Sequence, residues 1–375
     1  MAEFDLSLNR RHWLGRALGL GGALGLGIAT GVGGEAAARA AVTTPVRMNY
    51  NENPMGPSPR AIEAIRRELA SLPRYTAAKG DAFRDKLAAL EKVAPEQIFI
   101  GELLEVFGLH LALIGGPGGE FIYSEPGYNA LVGAVAPGGG KVVAVPLTER
   151  MEDDLPAIAA AVNAKTRAVY LVSPHNPSGT VSDKAALDAF IRDLSPRTLV
   201  MLDEAYLDFL DDYQDRTAAR FIRQGANVVV FRTFGKMYGL AGLNMGYAIV
   251  PKTLAKSLAA NGLGSPFEVN NLAVAASSAS MDDTQYVIAM RERTAREREK
   301  WHALLNRLRL RHSAARAGFL FFETGRPHAE FAADMLKRGV DVGRVFPPAD
   351  RWTRLSFGTE AENDFARAAI ESYFR

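Results

Sequence analysis

Cysteine is absent from the 375-residue sequence, which excludes disulfide bonds, thiolate metal sites and cysteine nucleophiles. An excess of one charge is absent as well, because 44 Lys and Arg residues are matched by 42 Asp and Glu residues. This balance gives no reason to expect a nucleic acid or an anionic membrane surface as a partner. What the sequence does contain is 48% hydrophobic residues, enough to bury a full core in more than one ordinary domain.

The first forty residues have a composition of their own, and 1–40 is predicted to be an export signal. Arg10 and Arg11 form a basic pair, residues 14–32 are rich in Gly, Ala and Leu, and 38–40 read Ala-Arg-Ala, a small-x-small cleavage pattern. A paired arginine before a weakly hydrophobic segment resembles a twin-arginine signal. An uncleaved anchor or a glycine-rich tail are the alternatives. We therefore predict a periplasmic or otherwise exported protein, without stable membrane association once the signal is removed.

The rest of the chain predicts an α/β protein with a mostly parallel, doubly wound sheet. Short apolar runs alternate with helical stretches in the middle of the chain, as expected for strands buried on both faces. These runs cover residues 121–124, 142–145, 168–172, 199–202 and 228–231. Helices are predicted after a Ser58 cap, from about 81 to 93, over 184–194 after a Ser182 cap, over 283–312 and over 360–374.

The pattern changes from about residue 265, where a long charged helical region is followed by two short strands. We therefore predict an N-terminal arm and part of a small domain at 41–80. A large cofactor-binding domain is predicted at 81–265, and a smaller α+β domain at 266–375.

Three consecutive predicted strands are each followed by polar or ionisable side chains that can take part in a reaction. Asn176 follows the run at 168–172, Asp203 and Tyr206 follow the next strand, and Lys236 follows the third. Since ligands of doubly wound sheets bind at the carboxyl ends of the strands, we expect these side chains to meet.

That set matches what a pyridoxal cofactor requires. A lysine forms a Schiff base and shuttles the α-proton of the substrate. A carboxylate keeps the pyridine nitrogen protonated, and Asn176 with Tyr206 can contact the phenolate oxygen. Alone, Asp203 is more typical of a helix cap and Lys236 of a solvated surface, but their order and placement together favour a cofactor site.

The same segments carry a family resemblance. They read NENPMGPS at 51–58, NPSGT at 176–180, DEAY at 203–206 and TFGK at 233–236, with GLAGL at 239–243 and RLSFGT at 354–359. The sequence resembles the fold-type I pyridoxal-phosphate-dependent aminotransferases, and within them the histidinol-phosphate aminotransferase-like branch. The resemblance extends over residues 46–375 and implies a homodimer with pyridoxal 5'-phosphate as cofactor.

The resemblance implies a role for each candidate residue. Lys236 is the Schiff-base lysine, Asp203 the partner of the pyridine nitrogen, and Asn176 and Tyr206 the partners of the phenolate oxygen. Tyr128 stacks on the ring, with an ordinary core tyrosine as the alternative. Arg354 binds the substrate carboxylate in a bidentate pair. Arg344 and Asn53 lie near the substrate, with an ordinary surface arginine and a turn asparagine as the alternatives. Tyr75 reaches the cofactor phosphate across the dimer interface, with a helix-packing tyrosine as the alternative.

The departures from the family concentrate on the cofactor phosphate. Asn244 stands where the family has an arginine, eight residues after the lysine, and Gly235 stands where the related branch has serine. In the loop at 101–105, Leu103 falls at the position of the expected hydroxyl. Of the expected phosphate ligands, Thr233 and Tyr75 remain.

These observations predict an aminotransferase that acts on an amino acid or related amine, with a keto acid as acceptor, by ping-pong transamination through Lys236. A decarboxylase, lyase or oxidase would share the same core residues. An inactive family member acting as a binding protein is the third alternative. A histidinol-phosphate pathway step would be unusual outside the cytoplasm, so the export signal argues against that substrate.

Overall fold

The computed structural model describes residues 44–265 and 269–375. Its strands are β1 (Val46–Arg47), β2 (Ile98–Ile100), β3 (Glu120–Glu125), β4 (Lys141–Pro146), β5 (Thr166–Val172), β6 (Leu199–Asp203), β7 (Val228–Thr233), β8 (Gly246–Ile249), β9 (Phe319–Glu323), β10 (Val340–Asp341) and β11 (Trp352–Ser356). The predicted export signal at 1–40 lies outside the described residues.

Helices lie between and around these strands in the described residues. They are α1 (Pro59–Glu68), α2 (Ala77–Glu91), α3 (Leu104–Leu113), α4 (Ala130–Gly133), α5 (Leu155–Ala161), α6 (Lys184–Leu194), α7 (Tyr213–Arg216), α8 (Ala219–Arg223), α9 (Lys252–Ala260), α10 (Asn271–Met281), α11 (Thr284–Arg307), α12 (His328–Lys337) and α13 (Glu360–Phe374). None of them is both long and apolar enough to cross a membrane.

Seven strands form the central sheet, in the order β2-β8-β7-β6-β5-β3-β4. The pairs from β7 through β4 are parallel, and β8 is antiparallel to both of its neighbours. The prediction of an α/β fold with a mostly parallel sheet is confirmed. All five apolar runs found in the sequence lie within strands of this sheet.

Both faces of the sheet are buried, which is why its strands are continuous apolar runs rather than alternating ones. In β6, Val200 and Leu202 belong to the core on one face, while Leu199 and Met201 belong to the core on the other. The buried strands therefore hold the side chains that follow their carboxyl ends in fixed positions.

The remaining strands lie outside this sheet. β9 pairs with β11 antiparallel, and β1 pairs with β10 parallel. A separate core around Trp301, Phe322 and Leu355 joins them to α11, α12 and α13. α1 and α10 instead contribute Ala61 and Ala273 to the core of the large sheet. The domain boundaries predicted at 80 and 265 stay a prediction.

Several helix starts follow from capping residues. The Ser58 side chain accepts a hydrogen bond from the Ala61 amide, as predicted for α1, with Pro59 in the first position. α6 begins after Asp183, whose carboxylate accepts from the Ala186 amide, so the predicted Ser182 cap was wrong by one residue. α13 covers the predicted residues, and Thr359 and Glu362 form a capping box there.

Candidate active site

The parallel order of β5, β6 and β7 brings the candidate side chains to one edge of the sheet. Val172 and Asp203 are opposite each other in the register, as are Asp203 and Phe231. Asn176 follows the end of β5 and Lys236 follows the end of β7, each within a few residues. The sheet therefore juxtaposes an amide, a carboxylate and an amine, as the sequence predicted.

Asp203 is the buried carboxylate of the site, with a relative exposure of 4%. The Tyr170 hydroxyl donates to its Oδ2 over 3.0 Å, and the Ala205 amide donates to its Oδ1 over 3.0 Å. Burial raises the pKa of Asp203, while the Ala205 and Tyr170 hydrogen bonds and the charge of Lys236 act in the opposite direction. A cationic partner in this site would therefore gain from pairing with a carboxylate that the fold has already oriented.

Tyr206 and Asn176 form a second polar group beside the carboxylate. The Tyr206 hydroxyl accepts from Nδ2 of Asn51 at 3.0 Å and from Nδ2 of Asn176 at 3.4 Å. The ring of Tyr206 packs edge-on against Phe319, with centroids 4.9 Å apart. The two amides thus hold the Tyr206 hydroxyl from two sides.

Arg354 is a buried cation that extends this group from β11. Its Nη1 donates to Oδ1 of Asn176 over 2.8 Å, its Nη2 donates to the Asn49 carbonyl, and its Nε has no hydrogen-bond partner in the described chain. Burial lowers the pKa of Arg354 to about 10, with Tyr206 acting in the opposite direction and Arg344 adding to the lowering. No carboxylate of the described residues pairs with it, so it is suited to bind an external anion.

Lys236 lies between these groups and the N-terminal arm. Its Nζ donates to the Tyr50 carbonyl over 3.2 Å and lies 6.0 Å from the centre of the Tyr206 ring. Tyr128 lies close enough to Asp203, Glu105 and Tyr206 for their charges to act on it. Burial first, and then these charges, raise the pKa of Tyr128 to about 12. The phenol is therefore neutral at ordinary pH.

The arm that carries Asn53 is fixed to the lysine loop. Nδ2 of Asn53 donates to the Met237 carbonyl over 2.8 Å and to the Tyr286 hydroxyl over 3.2 Å. Gly239 has a φ of +69°, and a Cβ there would lie 2.2 Å from the Gly56 carbonyl oxygen. Glycine is thus required for the arm to approach the loop this closely.

Two other predicted site residues have exposed side chains. Arg344 is exposed, and its guanidinium lies 4.6 Å from the Phe346 ring centre. Its charge contributes to lowering the pKa of Arg354, and its predicted position near the substrate stays a prediction. Tyr75 is 90% exposed in the chain, so its predicted contact with a cofactor phosphate across a dimer interface stays a prediction.

Thr233 and Gly235 serve the loop that leads to Lys236. The Thr233 hydroxyl accepts from the Gly235 amide over 3.0 Å and donates to the Met245 carbonyl over 3.3 Å. The hydrogen bond from the Thr233 hydroxyl to the Met245 carbonyl therefore stabilises the turn. This hydroxyl could donate to a phosphate only if that hydrogen bond were broken.

Leu103 and Asn244 lie together on a cavity of about 420 Å³, which we call the phosphate-end cavity. Its other described lining residues include Glu102, Met245 and Asn270. Asn244 has a φ of +47°, a left-handed conformation that asparagine adopts more readily than most residues. The departures recognised in the sequence at 103 and 244 thus meet at one place.

The structure adds site residues that were not identified from the sequence. Tyr170 lies two positions before Val172, on the face of the sheet where β5 meets Asp203, and the two-residue strand period could have indicated it. Asn51 is part of the arm motif, but its contact with Tyr206 spans 155 positions. No local pattern predicts such a contact.

Comparison with known proteins decides the family, since residues 43–370 match the family Aminotransferase class I and II. The chain belongs to the class I and II aminotransferases. Histidinol-phosphate aminotransferase 2 of Carboxydothermus hydrogenoformans is 37% identical over 338 residues, 88% of this chain and 91% of that protein. Histidinol-phosphate aminotransferase of Moorella thermoacetica is 33% identical over 342 residues, 90% of this chain and 88% of that protein.

Solved aminotransferase structures agree with the fold. Histidinol-phosphate aminotransferase from Sinorhizobium meliloti, in complex with pyridoxal-5'-phosphate, has a TM-score of 0.76 at 28% identity, covering 88% of this chain and 90% of that one. Aspartate aminotransferase from Thermus thermophilus with maleate has a TM-score of 0.75 at 24% identity, covering 88% and 91%. At that identity the second likeness shows the fold alone.

The protein is a pyridoxal-phosphate-dependent aminotransferase, and its residues fit the cofactor unevenly. At the ring end, the buried Asp203 carboxylate, the Tyr206 hydroxyl and the Lys236 amine supply the three groups that the ring and its carbonyl need. At the phosphate end, the described lining of the cavity contains no cation.

Proposed function

We propose that this aminotransferase acts on an amino acid or a related amine that carries a carboxylate, with a keto acid as acceptor. The observation that supports the proposal is Arg354, a buried guanidinium without a carboxylate partner in the described chain and with a free Nε. A substrate carboxylate would supply the missing charge, and it could accept two parallel hydrogen bonds from the guanidinium.

Arg354 also connects substrate binding to the ring end of the site. Asn176 accepts from Arg354 and donates to Tyr206. An anion bound by Arg354 would therefore act through one amide on the hydroxyl beside the ring. Charge-assisted hydrogen bonds of this kind lock side-chain orientation more strongly than neutral ones.

Lys236 is the proton carrier of the proposed reaction. When bound, the cofactor supplies an aldehyde carbon for the amine and a ring that accepts electrons. Nζ of Lys236 would take the proton from the α-carbon of the substrate and deliver it to the former aldehyde carbon, and the nearby Tyr50 carbonyl orients the amine through its hydrogen bond. Asp203 holds a proton at the pyridine nitrogen.

Substrate class is tested with the variant Arg354→Lys, which keeps the charge but loses the planar fork. We expect KM for carboxylate-bearing donors to rise about tenfold to a hundredfold, while the visible absorbance of bound cofactor stays unchanged. Donors without a carboxylate, including histidinol phosphate as the substrate named for the relatives, are assayed alongside. Equal KM values in both proteins for every carboxylate-bearing donor would contradict the proposal.

We further propose that residues 1–40 direct export by a twin-arginine route. The Arg10-Arg11 pair and the Gly-rich segment after it support this proposal. Replacing both arginines with lysine should retain the protein in the cytoplasmic fraction, whereas the control Arg16→Lys should be exported normally. Identical fractionation of the double variant and the wild type would contradict it.

A homodimer is the proposed assembly. Leu69, Leu72 and Tyr75 expose large side chains near one another in sequence, at 51, 57 and 90%, which supports association through this segment. Light scattering after size exclusion should give twice the chain mass, and Leu72→Lys should weaken the dimer more than Leu90→Lys on α2. A monomeric mass for the wild type at micromolar concentration would contradict the assembly.

A further inference from the structure

β11 directs two polar side chains toward the ring end of the cofactor site, from positions two residues apart. Arg354 reaches the Tyr206 hydroxyl through Asn176. Ser356 reaches the same hydroxyl through the N-terminal arm, because its Oγ is bonded to Asn51 and Nδ2 of Asn51 donates to Tyr206 over 3.0 Å. Alternate side chains of a strand lie on one face, which explains why both residues serve one hydroxyl.

Ser356 and Asn51 make two hydrogen bonds to each other, and both residues are buried. The backbone N–H of Asn51 donates to Oγ of Ser356 over 2.8 Å, and the Ser356 hydroxyl donates to Oδ1 of Asn51 over 2.7 Å. Water does not compete for these groups, so loss of one partner would leave a buried polar atom unpaired. The contact therefore fixes the arm to β11.

The direction of these hydrogen bonds follows from the chemistry of the groups. A backbone N–H can only donate, so Oγ of Ser356 accepts from Asn51 and has one hydrogen left to give. That hydrogen goes to Oδ1, which turns Nδ2 of Asn51 toward Tyr206. In the reversed amide, Oδ1 would face Tyr206 and the Ser356 hydrogen would lose its acceptor. Ser356 thus selects the orientation in which Asn51 donates to Tyr206.

The second amide beside Tyr206 is oriented in the same sense. A guanidinium can only donate, so Oδ1 of Asn176 accepts from Arg354 over 2.8 Å, and Nδ2 of Asn176 faces the Tyr206 hydroxyl at 3.4 Å. Both amides therefore donate to the phenol oxygen, and neither offers an acceptor for its hydrogen. Within the described part of the chain, the Tyr206 hydroxyl accepts hydrogen bonds and donates none.

The pairing of β9 with β11 also positions the ring of Tyr206. Ser356 is opposite Phe319 in the register of these strands, and Phe319 packs edge-on against Tyr206. On the arm, Asn51 has a φ of +54°, a left-handed conformation that asparagine adopts more readily than most residues. The ring and the hydroxyl of Tyr206 are thus held by the same pair of strands.

We propose that Ser356 is a positioning residue for the cofactor, because it keeps the hydrogen of the Tyr206 hydroxyl free for the phenolate oxygen of the ring. With Asn51 locked as a donor, Tyr206 can give its own hydrogen to that oxygen. Without the Ser356 hydroxyl, the Asn51 amide can turn over and its Oδ1 captures the hydrogen. The inference rests on pyridoxal phosphate as cofactor and on the predicted role of Tyr206, but not on the substrate class in the proposed function.

A purely structural role for Ser356 leads to different expectations. Loss of the Ser356 hydroxyl would then loosen the arm and lower the melting temperature, and any effect on the cofactor would not require the Tyr206 hydroxyl. The proposed role acts only through that hydroxyl. Substitution of Ser356 leaves in place the ionisable groups that interact with Tyr206, which are Lys236, Arg354, Tyr128 and Tyr170.

The experiment measures the pH midpoint of the visible absorbance change of bound pyridoxal phosphate, with no amino donor present. This midpoint reports proton binding where Lys236 joins the cofactor, and a hydrogen bond donated to the phenolate oxygen lowers the midpoint by stabilising the deprotonated form. We expect Ser356→Ala to raise the midpoint by about one pH unit, which is about a tenfold gain in proton affinity.

Thr353→Val is the matched control on the same strand. Thr353 is buried, and its Oγ1 has no hydrogen-bond partner in the described residues. The substitution removes a buried hydroxyl from β11 without touching Asn51, so the midpoint should stay at the wild-type value.

The same measurement in the Tyr206→Phe background separates the two roles. Without the Tyr206 hydroxyl there is no hydrogen to capture, so Ser356→Ala should then leave the midpoint unchanged. Asn51→Asp provides a second test, because its carboxylate keeps the contacts with Ser356 but presents an acceptor to Tyr206 instead of a donor. Its upward shift should be larger in the native background than in Tyr206→Phe.

Two results would overturn the proposal. One is a Ser356→Ala midpoint equal to that of the wild type, and the other is an equal shift with and without the Tyr206 hydroxyl, which would give Ser356 a structural role. If Ser356→Ala does not fold, an equal shift of Asn51→Asp in the two backgrounds has the same meaning. Since no amino donor is present, failure of the proposed substrate class would leave these outcomes unaffected.

Discussion

The ring end and the phosphate end of the cofactor site are built differently in this aminotransferase. At the ring end, Asp203, Asn176 and Tyr206 are almost fully buried and are hydrogen bonded to one another or to their neighbours. At the phosphate end, the cavity is lined by Glu102, Leu103 and Asn244. The ring end determines which reaction is possible, whereas the phosphate end determines how tightly the cofactor is anchored. We therefore expect substitutions at the two ends to change the reaction and the anchoring of the cofactor separately.

The largest effect is expected from Lys236→Ala, which removes the amine at the centre of the ring end. The visible absorbance of bound cofactor should disappear, and transamination should fall by at least about 10⁴-fold, because both covalent attachment and proton transfer depend on this amine. The exposed Lys252 on α9 provides the control, and Lys252→Ala should leave both readouts unchanged. Retained activity in Lys236→Ala would place the chemistry elsewhere.

Asp203→Asn should reduce kcat by roughly 10²–10³-fold, since an isosteric amide cannot hold a proton at the pyridine nitrogen by charge. The Ala205 amide can still donate to the side-chain oxygen, so the fold is expected to survive. Tyr170→Phe, which removes one hydrogen bond to the carboxylate, should produce a smaller loss. Steady-state kinetics with saturating cofactor measure both, and a Tyr170→Phe loss equal to that of Asp203→Asn would contradict the ranking.

At the phosphate end, a substitution is expected to strengthen cofactor binding instead of reducing activity. Asn244→Arg should strengthen binding of pyridoxal phosphate about tenfold by adding a charge-assisted bond, while binding of pyridoxal stays the same. Asn244→Gln bears the same backbone cost at a φ of +47° without adding a charge, and it should show no gain. Weaker phosphate binding in Asn244→Arg than in Asn244→Gln would mean that the cavity is not the phosphate position.

The smallest effect is expected at Gly235. A Cβ there would lie 3.3 Å from Oγ1 of Thr233 and 3.4 Å from Cα of Ala241, contacts that need small adjustments. Gly235→Ser should therefore change cofactor affinity no more than about threefold, its new hydroxyl being offset by the tight packing. Gly235→Ala measures the packing cost alone by thermal unfolding. A gain beyond tenfold would show that this hydroxyl position alone limits anchoring.

The comparison also shows which features the sequence could predict. The residues of the ring end follow apolar strands, so the parallel sheet alone was enough to bring Asn176, Asp203 and Lys236 together. α13 matched its prediction from Glu360 to Phe374, because its cap and its periodic apolar face are local signals.

Features that depend on contacts between distant segments were not predicted. Tyr170 reaches Asp203 only through the register of β5 and β6. The role of Thr233 in its own loop depends on the Met245 carbonyl across the turn. The position of Glu102 depends on the close approach of Gly101 and Gly246. The packing of α1 against α10, which places both helices on the core of the large sheet, is another contact between distant segments.

The central claim, transamination through Lys236, is tested most directly by absorbance spectroscopy of the purified protein with bound pyridoxal phosphate. Addition of a carboxylate-bearing amino donor should bleach the visible band in wild type, and a keto acid should restore it, in repeated cycles without release of carbon dioxide. A band that forms but never responds to any donor, or that bleaches irreversibly, would contradict the account and assign the Lys236 site to another reaction.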